Sequence, residues 1–227
     1  MRKPLDLVLL PLALIVLAIG EYAGLALAPK DALMGDVYRI MFVHVPSAWI
    51  GMLGFTVTFG ASLAYLWKSS LAADALAEAG AEIGVVFSAL VLITGSIWGK
   101  PTWGVWWTWD PRLTSAAIMW IAFSGYLALR RFVDQTDKRA AWSAVAGIII
   151  FVDIPIVWFS VKWWNSLHQI QQTKGSMDPT IAKTLALNVV GFLILFAWLL
   201  RMRYALARQR QREELVMPPE TGAAEVA

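Results

Sequence analysis

The chain has 227 residues, a formal charge of +3, 59% hydrophobic and 15% charged residues, and a mean hydropathy of +0.61. Soluble domains carry about a quarter charged residues, so this is a membrane composition, and the small, scattered positive charge gives no basis for nucleic-acid binding. The absence of cysteine excludes a disulfide framework, a thiolate metal site and covalent attachment of a prosthetic group through a CxxCH pair, and no P-loop is present to bind nucleotide.

A span takes about 20 mainly apolar residues. In chain order the first is Leu7 to Ala28, with Glu21 its only charge. Its basic start and lack of a small-residue cleavage site read as a retained span and not a removed signal peptide. Val45 to Trp67 is uncharged, and so is Ile83 to Trp98, which extends back to Ala79 if Glu82 sits at the interface. Leu113 to Leu129, Ala140 to Val161 (with Asp153 inside it) and Thr184 to Leu200 complete six spans. The predicted fold is all-α: a polytopic membrane protein with a tryptophan-rich loop between helices 3 and 4. It divides into one six-helix domain over 1–201 and a polar tail over 202–227 that is expected to fray.

Lys and Arg set orientation. In a six-span reading twelve of the 19 lie on the side of the termini and seven on the other. Both termini are therefore expected in the cytoplasm of a bacterial inner membrane, with the tryptophan loop on the periplasmic side.

Five of the thirteen tryptophans fall in WGKPTWGVWWTWDPRLTS, within the segment 98–115: Trp98, Trp103, Trp106, Trp107 and Trp109. Interfacial anchoring by an aromatic belt is one reading. Against it, the glycines and the proline are expected to break the helix into a shaped turn, which suits a platform for a planar ligand. Asp110-Pro111 reads as an N-cap followed by proline at the first helical position. Arg112 then joins the helix amides as a seat for a carboxylate, unless it snorkels to headgroups or pairs with Asp110.

The only two histidines lie on the same predicted side, His44 in IMFVHVPSAW and His168 in FSVKWWNSLHQ. Neutral imidazoles are axial ligands for haem iron; the alternative is that each caps a helix end or hydrogen-bonds at the interface. Glu21 and Asp153 read as structural, with Asp153 placed to satisfy backbone groups freed by Pro155. Gly20-x-x-x-Gly24 is a small-residue pattern that permits close helix approach.

These segments together resemble the CcmC family, the membrane haem-handling subunits of bacterial cytochrome c maturation. The tryptophan segment is similar to that family's WWD signature, and the two histidine segments to its histidine motifs. Larger relatives in the superfamily share the signature but have more spans and more histidines. The resemblance implies haem b on the periplasmic face against the WWD segment, with His44 and His168 as axial ligands. It implies Trp103, Trp106, Trp107 and Trp109 around the ring, and Arg112 on the propionates, helped by Lys100, Lys162 or Arg39. It also implies delivery to the periplasmic chaperone CcmE, which captures haem through its own histidine, within a membrane complex containing CcmA, CcmB and CcmD. The chain itself is then expected to be a non-enzymatic subunit. Val105, Pro111 and Trp158 depart from the family pattern. A bis-histidine electron-transfer subunit, a haem channel, and a scaffold subunit of an ABC transporter are the competing readings.

Overall fold

The computed structural model describes residues 4–31, 33–168 and 177–216. The six apolar stretches become six helices long and apolar enough to cross a membrane, and no strand occurs among the described residues. Helix α1 spans Pro4–Tyr22 and runs into a π turn, Ala23–Leu27. A 3-10 turn, Val37–Ile40, leads into α2, Met41–Lys68. The remaining helices are α3 (Leu71–Trp103), α4 (Pro111–Phe132), α5 (Thr136–Phe151), α6 (Asp153–Trp163) and α7 (Pro179–Val216).

Small residues bring the closest helix pair together. A Cβ on Gly80 of α3 would stand 2.6 Å from the Gly54 carbonyl of α2, and one on Gly84 would meet the Phe55 ring at 2.4 Å. Backbones approach this closely only without side chains, which is how apolar helices gain van der Waals contact where lipid offers no hydrophobic driving force. Thr58 adds a hydrogen bond to the Ala77 carbonyl at 3.1 Å. The pattern at Gly20 does what the sequence suggested. A Cβ there would stand 2.8 Å from Asn188, and Asn188, fully buried in α7, donates to the Gly20 carbonyl at 3.0 Å.

α5 and α6 form one span, Thr136–Trp163, broken at Val152. Pro155 has no N–H to give the Phe151 carbonyl and its ring crowds that carbonyl, which interrupts the helix. Asp153 does not satisfy the freed groups as expected: its Oδ2 is buried with no partner among the described residues.

Two further expectations are corrected. Gly99 and Pro101 do not end helix 3. It continues to Trp103 and stops where Gly104, at φ +79°, takes the left-handed conformation that favours glycine. At 33 residues α3 is about 50 Å long, well beyond the roughly 30 Å hydrocarbon core. Residues 202–216 are not frayed either: α7 stays helical to Val216. Ion pairs explain this. Arg201 meets Asp6 at 2.9 Å, Arg203 grips Glu82 through two bonds, and Arg210 lies 3.3 Å from Glu78. Gln211, itself buried, bonds Asp74, which holds the buried Arg130 of α4 bidentately at 2.6 and 2.8 Å. Residues 217–227, Arg2 and Lys3 lie outside the described residues, as does Lys174, so the outer parts of the charge count do too.

Candidate haem-facing site

The first turn of α2, the last turns of α3, the first turn of α4 and the segment after α6 meet at one end of the bundle. Asp110 ties two of these pieces together, the start of α4 and the segment after α6. Its backbone is extended (φ −60°, ψ 141°) and its Oδ1 accepts from the Arg112 N–H at 2.9 Å, capping α4 with Pro111 at the first helical position. The same carboxylate reaches across to the segment following α6. Oδ1 accepts from the Ser166 hydroxyl at 3.1 Å and Oδ2 from the Leu167 N–H at 2.7 Å. Ser166 Oγ in turn accepts from the His168 N–H at 3.1 Å. Burial pushes the Asp110 carboxyl up, but the bonds from Leu167, Ser166 and Arg112, with His168 nearby, outweigh it and hold it below the usual carboxylate range.

His168 thus has a fixed backbone, and its ring is enclosed. Trp103 stands edge-on at 5.0 Å between ring centroids, and the Nδ1 lies 3.7 Å from Asp110 Oδ1, beyond hydrogen-bonding distance. That nitrogen is buried without a partner among the described residues. Burial first, then the Arg112 charge, pull the imidazole down to about 4 against the opposing pull of Asp110. The ring is therefore neutral at neutral pH, the form that offers a lone pair to a metal. Gln169 and the residues to 176 lie outside the described residues.

His44 occupies the first turn of α2 and leans on α3. Its Nδ1 is 2.9 Å from the Thr94 hydroxyl, and Trp98 stands edge-on at 5.7 Å. Trp98 also packs against the buried cluster of Ala28, Tyr38, Met41 and Phe42, and its indole N–H is buried without a partner among the described residues. The last turns of α3 therefore contact both histidines, through Trp98 on one side and Trp103 on the other. That bridge exists only because α3 runs through Gly99 and Pro101.

The other tryptophans of the 98–115 segment face outward. Trp106, Trp107 and Trp109 are exposed, Trp109 by 82%, and Trp107 packs edge-on with Trp109 at 5.9 Å. Trp163 and Trp164 are exposed beside them in the chain that leads to His168, with Trp163 stacked on Phe159. The basic residues divide. Arg112 makes no side-chain hydrogen bond or ion pair among the described residues, and its expected competitor, a pair with Asp110, does not form. Arg39, by contrast, spends its donors on the Leu25 and Ala28 carbonyls and on Asp36. Lys100 bonds the Gly104 carbonyl, and Lys162 lies over the Phe159 ring.

The donor set fits haem. No cluster of three or more His, Cys, Asp or Glu able to hold a bare ion occurs among the described residues. Two neutral imidazoles suit an iron whose other four donors come with the porphyrin. Sequence reasoning singled out the histidines, the tryptophans, Asp110 and Arg112 and passed over Thr94 and Ser166, which carry no motif and matter only through their contacts.

A family model described as heme exporter protein C matches residues 2–217. The chain is 41% identical over 210 residues to heme exporter protein C of Bradyrhizobium diazoefficiens, covering 89% of this chain and 79% of that protein. It is 40% identical over 196 residues to heme exporter protein C of Escherichia coli K12, covering 84% and 78%. A Marchantia polymorpha protein named as a putative cytochrome c biosynthesis ccmC-like mitochondrial protein is 38% identical over 152 residues. With its site residues on a six-helix membrane fold and these relatives along almost its whole length, the chain belongs to the heme exporter protein C, or CcmC, family.

Proposed function

We propose that this protein handles haem for cytochrome c maturation: it binds haem b at the periplasmic face of the bacterial inner membrane and presents it to the chaperone CcmE. The observation that carries this reading is the α3 bridge, which joins Trp98 at His44 and Trp103 at His168 within one rigid helix end. His44 and His168 supply the axial nitrogens. Trp106, Trp107 and Trp109 cover the macrocycle and limit water, and Arg112 with the α4 amides receives a propionate. Asp110 shapes the site without touching iron. The role is positioning and transfer, without a catalytic step of the chain's own, in a complex with CcmA, CcmB and CcmD, and with both termini cytoplasmic. Haem held at helix ends beside an open aromatic surface suits a cargo that leaves, whereas an electron carrier encloses its haem between helices.

The test is the absorption spectrum of the purified protein beside a His44→Ala/His168→Ala double variant at matched expression. A low-spin spectrum lost or converted to five-coordinate in the variant is expected. A wild-type protein that takes up no supplied haem, or an unchanged variant spectrum, overturns the ligand assignment and makes the tryptophan surface a protein-docking face.

A further inference from the structure

His44 and Thr94 lie 50 positions apart in sequence and face each other across the α2–α3 interface, Nδ1 to Oγ1 at 2.9 Å. A threonine hydroxyl has a single proton and two lone pairs. Thr94 gives that proton to the Leu90 carbonyl one turn back, at 2.7 Å, with the Val91 carbonyl at 3.4 Å as second neighbour. With the proton committed there, Oγ1 presents only lone pairs toward His44. The contact is then a hydrogen bond only if Nδ1 carries the hydrogen. From this geometry we infer that Thr94 is a positioning residue that holds His44 in its Nδ1–H tautomer and leaves Nε2 bare for a metal.

Two neighbours on α3 complete a socket for the ring. A Cβ on Gly95 would stand 3.1 Å from His44 Cε1, so a side chain there would press on the imidazole and shift it by a few tenths of an ångström. Trp98, one turn beyond Thr94, walls the ring at an interplanar angle of 81°. Thr94 is itself buried, so water competes poorly for its lone pairs. Metal-ligating histidines characteristically donate their other N–H to such a partner, which fixes tautomer and orientation together. Here the partner is a neutral hydroxyl, while His168 has the Asp110 carboxylate 3.7 Å from its Nδ1. The two imidazoles therefore differ in what faces Nδ1: an accepting hydroxyl at His44, and at His168 a carboxylate too distant for a hydrogen bond. If the Thr94 hydroxyl turned instead to donate to Nδ1, the hydrogen would sit on Nε2 and that nitrogen would be closed to iron.

The inference rests on the proposed haem reading for its purpose, but its test does not need haem. The chain has two histidines, so uniformly histidine-15N-labelled full-length protein gives two ring patterns, assigned by the loss of one in His44→Gln. In the haem-free protein in detergent at pH 8, long-range 1H–15N correlations are expected to show His44 protonated at Nδ1. In Thr94→Val, which keeps the shape and loses the acceptor, the Nε2–H form is expected to dominate, and Thr94→Ser is expected to restore Nδ1–H. A wild-type His44 carrying its hydrogen on Nε2, or a Thr94→Val spectrum identical to wild type, overturns the inference. If Thr94→Val does not fold, the wild-type tautomer decides alone. A second arm adds hemin: Thr94→Val is expected to bind about tenfold more weakly and to show a larger high-spin fraction than wild type or Thr94→Ser. A wild type that shows Nδ1–H yet takes up no hemin upholds the inference and defeats the haem reading.

Discussion

The Asp110 carboxylate accepts a hydrogen bond from the Leu167 backbone N–H at 2.7 Å, so the residue that caps α4 also holds the chain beside His168 in place. Both donors are amides with no other partner of comparable quality, and the carboxylate is buried. Asp110→Ala removes an N-cap worth about 1 kcal/mol and strands the Leu167 N–H and the Ser166 hydroxyl. The expected outcome is a stability loss of about 1–3 kcal/mol, with faster amide hydrogen exchange at Leu167 and His168 while α2 and α3 exchange as before. Equal acceleration throughout the bundle would contradict a local clamp.

The pH dependence follows from His168. Its folded pKa lies near 4, below the unfolded value of 6.5, so between these values the unfolded chain binds more protons than the folded one. Stability contributed by the neutral buried ring is therefore complete above about pH 6.5 and declines as pH falls toward 4. Unfolding midpoints are expected to drop across this window in wild type and to drop less in His168→Gln. A variant with the same slope as wild type would assign the effect to another group.

Among the described residues, the Arg112 guanidinium has no hydrogen bond or ion pair. Arg112→Lys keeps the charge and loses the planar fork, which matters for a carboxylate. Haem retention on dilution is expected to fall about tenfold, or about 1.4 kcal/mol, and further in Arg112→Gln. Retention unchanged in both variants would remove Arg112 from the site.

Packing of α2 on α3 rests on absent side chains. Gly80→Ala places a methyl 2.6 Å from the Gly54 carbonyl, and backbone cannot yield as a side chain does. A loss of about 1–3 kcal/mol is expected, read as a lower thermal midpoint in detergent. Gly60→Ala, where a Cβ meets nothing within 4 Å, is the control and is expected to match wild type.

At the opposite end of the bundle, Arg130 and Asp74 are both buried and bidentately bonded. Arg130→Met leaves Asp74 buried with Gln211 as its remaining partner, and a cost of about 3 kcal/mol is expected. The Asp74→Asn/Arg130→Met pair is expected to lose less than Arg130→Met alone, because no uncompensated charge remains. A double variant as unstable as the single one would argue that packing, not charge, is at stake.

What the sequence by itself determined was the membrane fold, the six spans, the capped start of α4 and the identity of the ligand candidates. Each of these is a local property: hydropathy over twenty residues, an Asp-Pro pair, and two histidines in a chain that has no others. The WGKP segment was misread because proline and glycine argue for a break, whereas helix propensity is small beside the packing and capping that carry α3 on to Gly104. Only the tertiary structure decided that Trp98 and Trp103 serve different histidines, that Arg39 is engaged while the Arg112 guanidinium has no partner among the described residues, and that Thr94 meets His44. It also decided that the arginine-rich end of α7 stays helical, since its arginines meet carboxylates on α1 and α3 and its Glu214 meets Arg139 of α5. Contacts between residues 50 or more positions apart depend on helix register and crossing geometry, and those are set by which glycines let which backbones touch.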